Sequence, residues 1–479
     1  MTAQGRQRRA ETVRLWSLTE DTVVEVGDDG SLTVITWWGE YFFPAVAKGV
    51  RESLLRMALG PVSMANVTSS RVPETEPSLA GLRSVLNRLA GSVVHSLALA
   101  DGLGPILSAS PVRQAPHFPL DVVAPSRLVK LSRFAAMRPD RGVLLIESPS
   151  ACYRVALVQR PAVLVASSLA AATTIADVTA ATGVSEHVTW GVVAYLVAAG
   201  VALAADEQGV FAEDDDPDLA LWTHDDLMFH TRSRTWQSTG QGDLGRGSSG
   251  APTPVVKQVS AGPTFPLYRP DLTSLIRASP TLTSLLETDH HCPDFSERAM
   301  SAEQLGEFLF RTARIRSVGP AHLPGGPAHE ASQRPYFSIA CLYELEIYLS
   351  VNRCSGIQQG IYHYDPLWHT LTLINDDVAD LGAMLDLAMV AAGGHRRPSA
   401  LLTLTARTPR TAWVLGSATY ATTLVHVGAL QQVLYLNAKA MGLAAHAVPV
   451  DAGDRVDRAL KLEWPSEVGV GECVLDFPW

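Results

Sequence analysis

The stretch Ser238–Pro263, STGQGDLGRGSSGAPTPVVKQVSAGP, constrains this chain more than any other feature. It is rich in Gly, Ser and Pro and carries no sustained helical or alternating period. It therefore reads as a flexible linker and the main domain boundary. A chain of 479 residues, at roughly 100–200 residues per domain, is expected to form two or three domains. Hydrophobic residues make up 47% and charged residues 18%, which supplies ample core and excludes global disorder. The expected spans are an α/β module over 1–110, a winged-helix-like module over 111–237, the linker over 238–263, and a C-terminal domain over 264–479. In that last domain helices alternate with strands, which makes it α+β in character.

The first zone opens with two alternating runs, TVVEV and SLTVITW, around the turn GDDGS. This predicts a hairpin about Asp28-Asp29-Gly30. Helical patterns follow near Phe43–Leu59 and Leu79–Leu97. The second zone predicts paired strands divided by a turn at Pro139–Gly142. After them come a short helix, a Gly-containing turn, a longer apolar helix and a hairpin-like end, which is a winged-helix order. The second helix of that pair has almost no Lys or Arg, so peptide binding or packing suits it better than DNA. The apolar run Val188–Ala205 is barely long enough to span a membrane. Its Gly191 and Gly200, and the acidic residues after it, suit a buried helix instead.

A formal net charge of −10 and a pI near 5.8 argue against a duplex nucleic-acid binder. Cys152, Cys292, Cys341, Cys354 and Cys473 are widely spaced, odd in number and without a CxxC pair. That pattern fits a reducing cytoplasm rather than a disulfide framework or a zinc ribbon. The N-terminal MTAQGRQRRAETVRLW has no apolar core of the kind a secretory signal needs.

Several segments after the linker, taken in order, resemble SagB-type, nitroreductase-like dehydrogenases. They are Phe265–Glu287, Ser301–Val318, Arg334–Ile374, Thr405–Val450 and Val468–Leu475. LWTHDDLMFHTRSR, Leu221–Arg234, resembles a segment that precedes the domain in longer members. The resemblance implies a central, mostly antiparallel sheet flanked by helices, with FMN bound at a dimer interface. It implies oxidation of peptide thiazolines and oxazolines to thiazoles and oxazoles. The implied partners are a precursor peptide, a YcaO-type cyclodehydratase, and a second subunit that is either the same chain or a dehydrogenase paralogue.

The resemblance also singles out residues. Ser338, in PYFSIAC, matches the family's flavin-contacting Ser, and Ile339 and Ala340 stand where the family has glycines that allow close backbone approach. The family's Arg-Arg-Ser phosphate cradle falls near Asp289, His290 and His291, where neutral His compensates weakly. Arg334, Arg407 and Arg410 remain as candidates for phosphate or leader peptide, or as caps of the sheet edge. The family's Lys-Tyr pair becomes Val414 and Leu415, which neither donate nor accept a proton. Tyr420 is the nearest downstream candidate for a catalytic role, with a structural reading beside it. His224, His230 and His363 read as structural. His290-His291-Cys292 lacks a spaced partner motif for a metal. Because the cradle, the loop glycines and the Lys-Tyr pair are all altered, two readings stay open. One is an FMN-dependent azoline dehydrogenase. The other is a catalytically silent scaffold that docks peptide or cyclodehydratase, or pairs with an active paralogue.

Overall fold

The computed structural model describes residues 12–63, 77–100, 103–114, 118–121, 123–234, 253–258, 262–288, 296–322, 328–449 and 454–478. The chain folds as two compact units, Met1–Gln241 and Gly242–Trp479.

In the first unit the chain runs through β1 (Thr12–Leu18), β2 (Val23–Val26), β3 (Leu32–Thr36), β4 (Gly39–Phe43), α1 (Lys48–Leu59), α2 (Pro77–Arg88), β5 (Val93–Leu99) and β6 (Pro105–Pro111). It continues through β7 (Val129–Leu131), β8 (Ala136–Asp140), β9 (Val143–Glu147), β10 (Tyr153–Leu157), α3 (Arg160–Ser168), α4 (Ile175–Thr182), α5 (Glu186–Ala199), β11 (Ala202–Ala204) and α6 (His224–Arg234). The hairpin about Asp28–Gly30 joins β2 to β3. Gly30 takes φ 82° and the Asp29 carboxylate accepts from the Ser31 N–H, which is turn chemistry only short polar residues and Gly supply. The Pro139–Gly142 turn joins β8 to β9 as expected. The helical pattern over Leu79–Leu97 breaks instead. The helix ends at Arg88, a short 3-10 turn at Ala90–Ser92 carries Gly91, and β-branched Val93-Val94 open β5.

Helix α5 is buried nearly all round, from Val188 through Ala199, and ends at Gly200 in a left-handed conformation. No helix among the described residues is long and apolar enough to cross a membrane. The expected hairpin-like end after α5 is one short strand, β11, paired with β7. The six-stranded sheet has the order β1-β5-β6-β10-β9-β8 and so takes strands from both sides of residue 110. The boundary at 110 therefore does not separate two packing units, because β6 and β10 pair directly across it.

The second unit contains β12 (Thr264–Pro266), α7 (Leu272–Ala278), α8 (Leu282–Leu286), β13 (Met300–Ser301), α9 (Ala302–Ala313), β14 (Ser317–His322), β15 (Ala328–Gln333), β16 (Leu345–Val351), β17 (Cys354–Ser355), β18 (Gly360–Asp365) and β19 (Thr370–Asn375). It closes with α10 (Val378–Ala391), β20 (Ala400–Arg407), α11 (Pro409–Leu415), α12 (Thr419–Ala440), β21 (Ala444–Val448), α13 (Asp454–Leu460) and β22 (Glu467–Asp476). Seven strands form one antiparallel sheet in the order β12-β19-β18-β16-β20-β22-β21. Alternate residues of β16 face opposite sides. Leu345, Ile347, Leu349 and Val351 pack with α9 and α12, while Tyr348 packs with α10 and α13. The fold is therefore α+β, a sheet with helices on both faces. Ser301 starts α9 with a capping box closed by Gln304, which satisfies two otherwise orphaned donors. At the end of β18, the Asp365 carboxylate accepts from the Leu367 and Trp368 N–H groups and turns the chain into β19.

Candidate functional site

The candidate residues gather at one end of β16 and β20. Arg407 ends β20, Arg410 lies in the first turn of α11, and Arg334 follows β15. All three are buried, Arg410 to 1% exposure. Each donates to main-chain carbonyls. Arg410 reaches Leu342 O (2.6 Å), Thr253 O (2.5 Å) and Glu330 O (2.8 Å). Arg407 reaches Pro254 O (2.8 Å) and Val255 O (3.0 Å). Arg334 reaches Val255 O (3.4 Å) and Leu345 O (3.3 Å) and lies over the Tyr343 ring.

The segment 253–258 is thus strapped into the unit. The Val255 N–H donates to the Glu330 carboxylate, and Lys257 bonds Glu467 and the Tyr348 hydroxyl. Glu346 balances Arg407 at 2.8 Å and accepts from His363 Nε2 at 3.1 Å. Burial pushes the Glu346 carboxyl up, but Arg407 and His363 outweigh it and hold the group at about 2. Burial, followed by the like charges of Arg407 and Arg334, brings Arg410 down to about 10. Among the described residues, neither Arg334 nor Arg410 has a carboxylate within ion-pair distance.

Ser338 sits in a loop above this cluster. Its hydroxyl accepts from the Tyr343 N–H at 3.0 Å, and the Tyr343 hydroxyl donates to Tyr336 O at 2.8 Å. Three non-glycine residues here are left-handed: Ala340 (φ 52°), Cys341 (φ 54°) and Tyr343 (φ 47°). Each such residue costs about 1 kcal/mol or more. The two glycines of the family pattern are gone, yet the backbone at Ala340 keeps a conformation that glycine prefers.

Two histidines that sequence reasoning passed over hold the loop. His426 on α12 is fully buried and accepts the Ile339 N–H through Nε2 at 2.9 Å. Its Nδ1 therefore carries the hydrogen, and it lies 2.8 Å from the buried Glu344 carboxylate. His329 Nε2 lies 3.2 Å from Ala340 O. A signal for this pair does exist in the sequence. Glu344 and Glu346 stand in the otherwise apolar run LYELEIYL, and buried carboxylates demand partners. Spacing alone could not name His426, which lies 82 residues away.

The loop presents Phe337 and Ile339 to solvent, and the adjacent face of α12 presents Tyr420, Leu424 and Val425. Tyr420 is half-exposed in the first turn of α12. Trp413, Val414 and Leu415 lie on helix α11, not on the central strand, which ends at Arg407. His290 and His291 fall outside the described residues. His224 bonds Phe134 O and His230 packs on Trp222, both within the first unit. A cleft of about 390 Å³ opens elsewhere in the second unit, lined by Phe265–Tyr268, Ala302, Glu303, Gly356 and Ile357. None of the sequence-selected residues lines it.

An FMN can be tested against these observations. Its ring needs close backbone approach and a planar apolar seat, and the exposed, strained loop with Phe337 and Ile339 fits that part. Its phosphate needs free cationic or N–H donors. Arg334, Arg407 and Arg410 spend theirs on internal carbonyls, so as placed they do not fit it.

A family model described as cyanobactin oxidase ThcOx matches residues 129–239, which include the Leu221–Arg234 segment. A nitroreductase-type protein of Methanocaldococcus jannaschii is 30% identical over 129 residues, covering 27% of this chain and 64% of that protein. The chain thus spans somewhat less than two thirds of that curated relative. Among solved structures, a nitroreductase-type protein of Ralstonia eutropha is 19% identical, with a TM-score of 0.34 over 47% of this chain and 97% of that one. The E. coli microcin synthetase McbBCD complex, with truncated pro-MccB17 bound, gives 17% identity and a TM-score of 0.32 over 46% and 84%. Superpositions this loose carry no argument. The chain is thus similar to the cyanobactin oxidase family over residues 129–239 and to a nitroreductase-type protein over 129 residues, in line with the resemblance carried by the ordered sequence segments.

Proposed function

We propose that this chain is a flavin-dependent dehydrogenase of a ribosomal-peptide pathway, removing two hydrogens from each peptide thiazoline or oxazoline to give a thiazole or oxazole. The observation that carries the reading is the loop from Ser338 to Tyr343. Left-handed, non-glycine backbone is retained only where its surroundings over-determine it, and such outliers cluster at ligand sites. FMN is the cofactor that the resemblance implies, with its ring against Phe337–Ala340. The apolar stripe of Tyr420, Leu424 and Val425 beside the loop suits burial under a second subunit. A precursor peptide and a YcaO-type cyclodehydratase are the partners this function calls for, in a cytoplasmic setting.

Two observations favour a second reading, a silent scaffold paired with an active paralogue. Val414 and Leu415 offer no proton-transfer group, and the three arginines are committed internally. The experiment that separates the readings incubates the purified full chain with FMN and an azoline-containing peptide, with and without the cyclodehydratase. Loss of two hydrogens per ring, followed by mass spectrometry, supports the dehydrogenase. Flavin-free protein that co-purifies with an active dehydrogenase and enhances its turnover supports the scaffold.

A further inference from the structure

Helix α12 crosses behind the Ser338 loop, and His426 is the buried side chain through which it holds that loop. Its bonds leave one consistent tautomer. Nε2 accepts the Ile339 amide hydrogen, and Nδ1–H donates to Glu344, with Oε1 at 2.8 Å and Oε2 at 3.1 Å. Glu344 is itself fully buried, and its main-chain carbonyl accepts the Arg407 N–H. The imidazole is therefore locked from behind by a carboxylate and presents its acceptor face to the loop. His329 holds the next residue from the other side, through Ala340 O. Left-handed Ala340 lies between these anchors and left-handed Cys341 directly after them, with Phe337 and Ile339 exposed in the same loop. A backbone this strained relaxes unless it is clamped.

We infer that His426, oriented by Glu344, is a positioning residue that clamps the Ile339 amide and so holds the Phe337–Ala340 ridge in its ligand-binding shape. It touches no ligand itself, because both ring nitrogens are engaged and the side chain is buried. This rests on the proposed flavin reading only for the identity of the ligand. The clamp also stands without it, as a property of the backbone.

The two isosteric amides divide the histidine's roles. In His426→Gln the amide oxygen reaches the Nε2 position and keeps the bond from Ile339. In His426→Asn the amide nitrogen sits near Nδ1, keeps Glu344 and loses Ile339. The full-length chain and both variants are compared by native-state hydrogen exchange at the Ile339 amide, by thermal unfolding, and by titration with FMN followed through flavin fluorescence. Both variants are expected to melt lower, the Gln variant by more, because it leaves the buried Glu344 carboxylate without its histidine partner. Protection at Ile339 is expected to fall about tenfold in the Asn variant and to persist in the Gln variant, as loss of one buried hydrogen bond implies. Flavin affinity is expected to follow the same split, weaker by about tenfold in Asn alone. Equal losses of protection and affinity in both variants, or none in Asn, overturn the inference. A wild-type chain that takes up no flavin removes the proposed function, and the exchange comparison then decides the clamp by itself.

Discussion

The arginine cluster and the Ser338 loop lie side by side and treat their sequence in opposite ways. The cluster keeps the residues that suggest a ligand, Arg334, Arg407 and Arg410, and spends them on the carbonyls of Thr253, Pro254, Val255, Glu330, Leu342 and Leu345. The loop has lost the glycines that suggest a ligand and keeps backbone that glycine would prefer. On the proposed function, residue identity therefore overstates the first region's part in ligand binding and understates the second's. A guanidinium has five donors and is used wherever several buried carbonyls converge. A backbone conformation is the product of everything packed around it.

The comparison can be broken most sharply at Arg410. Arg410→Ala strands three buried carbonyls and leaves a cavity, so it is expected to cost about 3–5 kcal/mol, read as a lowered urea midpoint. A near-neutral result would mean that the arginine is held for a ligand instead. A comparable effect is expected from acid. The Glu346 carboxyl is held below its ordinary value, so its contribution is fully present above about pH 4.5 and is lost as pH falls toward about 2. Unfolding followed between those limits should show a loss of a few kcal/mol that Glu346→Gln largely removes. On the loop side the sign reverses. Ala340→Gly relieves a left-handed residue and is expected to stabilise the chain by about 0.5–1 kcal/mol, seen as a higher melting temperature. Smallest in stability is Phe337→Ser, at 60% exposure. It should stay within about 0.5 kcal/mol while weakening flavin uptake, which fluorescence titration reads directly.

Much of the frame was legible in advance because short-range chemistry decides it. The Asp28–Gly30 hairpin, the Pro139–Gly142 turn and the buried α5 with its Gly200 stop each rest on local residues. The end of α2 was not legible, because its helical period ran on into Val93-Val94, where pairing with β1 takes over. Nor was the shared sheet across residue 110, since strand pairing between β6 and β10 leaves no mark on local composition. The site divides in the same way. Ser338 and the arginines were singled out by the resemblance alone, and the partners that absorb the arginines left no mark in the sequence. His426 and His329 were invisible because each meets the loop only through tertiary contact.

The central claim is that the loop carries the ligand while the arginines hold the fold. Parallel titrations of the full chain with FMN and with riboflavin, which lacks the phosphate, test it most directly. The account predicts that both flavins bind, with dissociation constants within about tenfold of each other, or roughly 1.4 kcal/mol. A preference for FMN of a hundredfold or more, or failure to bind either flavin, would contradict it.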